Sequence, residues 1–223
     1  MKGVSFLRLA AVSVFAAGVA FASTSHAGVA EGKKIFDSKN CGACHQMAGP
    51  AKEKTIEDQL AKKGPELWYS GSKFQKDFLK GWLKDPKPIR PMEYYSLTKK
   101  NTGNHAKLDA KSADEVAEYL MSLTSDAVKK AGITPKGGPK GRIIFEKKQG
   151  CYGCHEVTKG GNTVGGLTGP TMVGAADRLQ PDWIYAYLVN PKVFKPVKDM
   201  PVYEGILTDD EIKTLAEYVS SLK

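Results

Sequence analysis

The sequence predicts an all-α protein made of two tandem copies of one helical unit, and three observations carry that prediction. The chain repeats its own landmarks, each copy carries amphipathic helical periodicity with helix-start signals, and neither copy contains a run of β-type alternation. Gly32-Lys-Lys-Ile-Phe36 is echoed by Gly141-Arg-Ile-Ile-Phe145, Gly64-Pro65 by Gly169-Pro170, and Trp82-Leu-Lys-Asp-Pro86 by Tyr187-Leu-Val-Asn-Pro191. Residues 108–123 then align without a gap on residues 207–222. A motif order kept over this length indicates duplication of one domain.

The elements follow in order. Residues 1–27 carry a positive start (Lys2, Arg8), an almost wholly apolar stretch over 9–22, and small residues at Ser25-His26-Ala27. That pattern predicts a cleaved export signal, an uncleaved anchor being the alternative. No later stretch is long and apolar enough to span a bilayer. The first copy is expected over 28–126 and the second over 141–223. Each opens with an amphipathic helix, Ile35-Phe36 or Ile143-Ile144-Phe145 facing inward. A middle helix is expected over 73–83 and 181–189, with Pro181 suited to a first helical turn. The closing helices begin at the capping boxes Ser112-x-x-Glu115 and Thr208-x-x-Glu211. Between the copies, 127–140 is rich in Pro, Gly and Lys and reads as a surface linker.

The chemistry lies in Cys41-Gly-Ala-Cys44-His45 and Cys151-Tyr-Gly-Cys154-His155, which use all four cysteines. C-x-x-C-H is the attachment pattern of c-type haem: the thiols add to the two vinyl groups and the histidine becomes an axial iron ligand. A zinc or redox C-x-x-C followed by a chance histidine is the competing reading, which two matching copies with no stray cysteine disfavour. Two covalently attached haem c groups are therefore expected. Each copy is small for a self-sufficient core, and a haem supplies a large apolar body to pack around. Attachment outside the bacterial cytoplasm agrees with the export signal, so the mature chain is expected in the periplasm.

The formal net charge is +9. Residues 28–126 carry 17 basic and 14 acidic groups, 127–140 carry four lysines and no acid, and 141–223 carry ten of each. A basic surface suits an acidic protein partner or an anionic membrane face. It does not suit nucleic acid, because the lysines lack an interleaved aromatic stacking set.

On these residues the chain resembles the class I cytochromes c, twice over. Gly32, Phe36, Gly64, Pro65 and Tyr119 match that family's pattern in the first copy; Gly141, Phe145, Gly169, Pro170, Met200 and Tyr218 match it in the second. The resemblance implies that the Pro65 and Pro170 carbonyls orient His45 and His155, and that Met200 is the sixth ligand of the second haem. For the first haem it points to Met92, with two departures. The neighbouring proline precedes Met92, and the segment from there to Leu108 is nine residues longer than that from Met200 to Leu207. His105 lies inside that excess, so His105 or an open position remain alternatives. Met172 and Met121 are assigned to packing; Trp68, Trp82, Trp183, Tyr94 and Tyr95 are possible pocket walls. The implied function is electron transfer without catalysis: a diheme carrier between redox proteins, docking on an acidic face. A dehydrogenase subunit and a diheme peroxidase are the alternatives.

Overall fold

Two glycines decide how each copy closes. A side chain at Gly32 would place its Cβ 1.9 Å from the Glu115 carbonyl oxygen, and one at Gly141 would come 2.4 Å from Tyr218 Cβ. Without them the opening and closing helices of each copy could not cross at this distance. In the computed structural model, which describes residues 24–93, 96, 98–197 and 200–223, α1 (Thr24–Ser38) crosses α5 (Ala110–Ser122). In the second copy, α6 (Pro139–Ile143) and the π-helical turn that continues it (Ile144–Lys148) cross α9 (Asp209–Val219). Aromatic edges seal both crossings: Phe36 meets Tyr119 at 5.5 Å between ring centroids, and Phe145 meets Tyr218 at 5.7 Å.

The short α2 (Ile56–Leu60) starts at a Thr55–Asp58 capping box, and α3 (Ser70–Lys73) and α4 (Lys76–Lys84) follow. Their counterparts are α7 (Ala175–Arg178) and α8 (Pro181–Val189). The repeat extends to single hydrogen bonds: Gly71 N–H donates to Leu123 O at 2.8 Å, and Ala176 N–H to Leu222 O at 2.9 Å. The expected export signal falls almost wholly outside the described residues, as do Tyr94 and Tyr95. No helix among the described residues is long and apolar enough to cross a membrane.

The helical class takes one addition and two corrections. The addition is an antiparallel hairpin of β1 (Glu156–Lys159) and β2 (Asn162–Gly165). Gly160 and Gly161, with φ of 57° and 80°, supply the left-handed turn that a tight hairpin needs. Next, α5 is capped by Asp109, whose carboxylate accepts from Ser112 N–H at 3.0 Å, and not by Ser112; Thr208–Glu211 does form a capping box. Finally, the helix expected over 73–83 is broken at Phe74-Gln75.

The break has a cause in the other copy. Phe74 and Leu179 form an antiparallel bridge in which Gln75 N–H donates to Arg178 O at 2.9 Å and Gln180 N–H to Lys73 O at 2.8 Å. The two glutamine side chains repeat the exchange, Gln75 to Leu179 O and Gln180 to Phe74 O. Equivalent residues thus pair with each other across a local two-fold. Around the bridge, Tyr69 stacks parallel to Trp183 at 6.4 Å, Phe194 meets Trp68 and Tyr69, and Glu66 pairs with Lys195. One apolar cluster runs through both copies. The 127–140 segment lies along the second copy, Ile133 N–H donating to Asp182 at 3.0 Å and Lys136 N–H to Glu217 O at 2.9 Å.

Candidate haem sites

Each C-x-x-C-H lies on a single tight helical turn, Cys41–Ala43 or Cys151–Gly153, entered through a left-handed residue. That residue is Gly150 in the second copy (φ 59°) and Asn40 in the first (φ 54°), asparagine being the side chain that best tolerates such a backbone. The turn closes when His45 N–H donates to Cys41 O at 3.2 Å and His155 N–H to Cys151 O at 3.1 Å. Two thiols and one imidazole therefore come off adjacent positions of one turn. No cysteine is in a disulfide; Cys44 and Cys154 are exposed, and Cys41 and Cys151 half-buried.

The imidazoles are fixed by the Gly-Pro loops. His45 Nδ1 donates to Pro65 O at 2.8 Å and His155 Nδ1 to Pro170 O at 2.7 Å. Because Nδ1 carries the proton, Nε2 presents its lone pair, as a metal ligand must. Burial lowers both histidine pKa values against the opposing effect of the proline carbonyls. The loops can approach this closely because Gly64 and Gly169 lack side chains: a Cβ there would lie 2.9 Å from the His45 ring and 2.6 Å from that of His155. The charged surroundings differ. Glu66 acts on His45, while Arg90 and Arg178 act on His155, Arg90 reaching over from the first copy to the Thr168 carbonyl.

The donor set fits covalent haem c at both sites: a thiol pair and a tied imidazole with a free Nε2. The buried indole N–H groups of Trp68 and Trp183 have no acceptor in the protein. The family model for cytochrome c matches residues 29–124 and 139–223. The chain belongs to the cytochrome c family. It is a diheme class I cytochrome c, with haem attached through Cys41 and Cys44 and through Cys151 and Cys154. The chain is 27% identical to the cbb3-type cytochrome c oxidase subunit CcoP of Azospirillum sp. (strain B510) over 198 residues, 86% of this chain and 61% of that protein. CcoP of Azospirillum brasilense gives the same identity over 200 residues and the same shares. Cytochrome c oxidase subunit 2 of Bacillus subtilis (strain 168) is 28% identical over 116 residues, 48% of this chain and 30% of that one. The chain thus spans about three-fifths of the CcoP proteins. No solved structure matches it.

On the distal side the copies part. In the second, Met200 is half-buried and packed against the apolar cluster, three residues before Tyr203. Tyr203 N–H donates to Leu188 O at 3.1 Å, and its hydroxyl lies 4.0 Å from Cys151 Sγ. In the first copy the same anchor is Leu108 N–H to Leu83 O at 3.0 Å, Leu83 and Leu188 being the eighth residues of α4 and α8. Three residues before Leu108 stands His105, not Met92. Counted from this hydrogen bond, Met92 does not share the station of Met200. The connection from helix to anchor is ten residues longer in the first copy, and the excess lies ahead of His105, in the stretch that holds Met92. Met92 is buried, bridged to Lys100, in a loop that also meets the second copy where Thr171 N–H donates to Ile89 O at 2.8 Å. Sequence order gave no sign of this register, because the closing helices align without a gap.

Proposed function

We propose that this cytochrome is an exported carrier that relays single electrons between a redox enzyme and a downstream acceptor. Bound haem supplies, at each site, an iron that takes up and returns one electron. The chain's own residues hold that iron still. Cys41, Cys44, Cys151 and Cys154 fix the ring covalently, His45 and His155 give neutral nitrogen ligands, and Met200 gives the second iron its thioether. Pro65 and Pro170 keep the imidazoles oriented, so that little has to move when the charge changes. The observation that carries the reading is the two-fold bridge at Phe74 and Leu179, which couples the two sites through one packed core instead of a loose tether. Lysines at 129, 130, 136 and 140 add four charges to one segment and favour an acidic docking face on the partner.

The relatives support a second reading, a subunit of a cytochrome c oxidase, because CcoP and subunit 2 are named as oxidase subunits. Stopped-flow mixing with a one-electron donor, then with an oxidant, tests the carrier. Two electrons per chain should enter and leave reversibly, with no consumption of hydrogen peroxide. Peroxide turnover would reject it, and co-migration of all the protein with an oxidase on native gels would favour the subunit.

A further inference from the structure

We propose that His105 is the sixth ligand of the first haem, making that site bis-histidine while the second remains histidine–methionine. The inference rests on the diheme reading and takes it further, to the distal face that the C-x-x-C-H motif does not specify.

Three observations converge. The first is position. Measured from the shared anchor on the end of the middle helix, His105 and Met200 occupy the same station, each three residues before the anchoring amide. The second is distance. The ring of His105 faces that of His45 with 6.1 Å between centroids. Two imidazoles on opposite sides of one metal, each nitrogen ~2.0 Å from it, stand roughly 6 Å apart by centroid. The third is protonation. His105 Nδ1 lies 2.9 Å from Ala106 O, which can only accept, so the proton sits on Nδ1 and Nε2 is free to bind. His45 is arranged in the same way by Pro65.

The loop is built to hold this ring. Trp82 packs on it at 4.8 Å between centroids, and the Trp82 indole is itself tied to Lys87 O at 2.8 Å. Lys107 pairs with Asp85 at 2.9 Å, just past the end of α4. Gly103 turns the chain with a φ of 68°, its N–H held by the Asn101 side chain at 2.9 Å, and His105 N–H donates back to Gly103 O. His105 itself is exposed, so these contacts, and not burial, position its ring.

The test uses the holoprotein and three variants of it. The pyridine haemochrome of the parent should report two haems c per chain; fewer would sink the diheme reading itself and this assignment with it. The parent should show one sulfur-to-iron charge-transfer band per two haems, both haems low-spin. His105→Ala should open one haem of the two, so that the reduced protein binds one carbon monoxide per chain. His105→Met, which keeps a ligand at that station and guards against loss through misfolding, should stay low-spin and double the charge-transfer band. Met92→Leu should leave every signal as in the parent. The assignment is overturned if His105→Ala keeps both haems closed to carbon monoxide, or if Met92→Leu opens one.

Discussion

The two copies share a frame and differ at the iron's surroundings. Both have the left-handed entry to C-x-x-C-H, a histidine tied to a proline carbonyl, and a glycine under the ring. On the distal side the proposed ligands are His105 in the first and Met200 in the second. Near the histidine the first has the carboxylate of Glu66, the second the guanidinium groups of Arg90 and Arg178. An imidazole ligand favours the ferric state, while cationic surroundings and a thioether favour the ferrous one. The duplication kept what attaches haem and varied what tunes it. The expected outcome is a pair of unequal potentials, the first haem lower.

The largest effect should come from the carboxylate found in the first copy alone. Burial would raise the Glu66 pKa, but Lys195 and Lys62 overcome it and hold the group at about 2. Glu66→Gln removes the carboxylate that faces Lys62 and, across the interface, Lys195, and should cost about 3 kcal/mol in urea unfolding. The native pKa lies below the ordinary 4.5. The stabilisation is therefore full above about pH 4.5 and fades as pH falls toward 2. The parent should lose stability through that window, and the variant should lose less.

Next in size are the helix crossings. Gly32→Ala meets a backbone carbonyl at 1.9 Å and Gly141→Ala the Tyr218 Cβ at 2.4 Å. Each should destabilise by about 2 kcal/mol, with Gly32 the worse, since overpacking forces backbone to shift. Equal losses would mean that the two crossings relax alike.

A smaller and purely local change is expected from Met200→Leu. It should remove the sulfur-to-iron band and lower the potential of the second haem while the first keeps its own. Unchanged spectra would assign that ligand elsewhere.

The smallest effect concerns docking. Replacing Lys129, Lys130, Lys136 and Lys140 by glutamine should slow electron exchange with an acidic partner at low salt and leave both potentials alone. The difference should vanish as screening shortens to about 10 Å near 0.1 M salt. A flat salt response shared by parent and variant would reduce these lysines to solvated surface.

What the sequence disclosed, it disclosed through local chemistry. The paired C-x-x-C-H, Pro181 opening α8 and the Thr208–Glu211 box are each set by neighbours within a few residues. The hairpin escaped because its strands are four residues long and only Val157 faces inward; the Gly160-Gly161 pair was its one usable signal. Phe74-Gln75 reads as helix until Leu179 is there to pair with it. Asp109 and Ser112 both offer a capping oxygen, and only the backbone shows which is used. The station of His105 was hidden by an insertion whose place depends on a hydrogen bond, Leu108 to Leu83, that alignment does not see.

Spectroelectrochemical titration of the purified holoprotein tests most directly whether one duplicated frame holds two unlike haems. The account predicts two resolved one-electron waves of equal amplitude, the lower from the first haem and the upper from the second. A single wave in which both haems titrate together at one potential would contradict it.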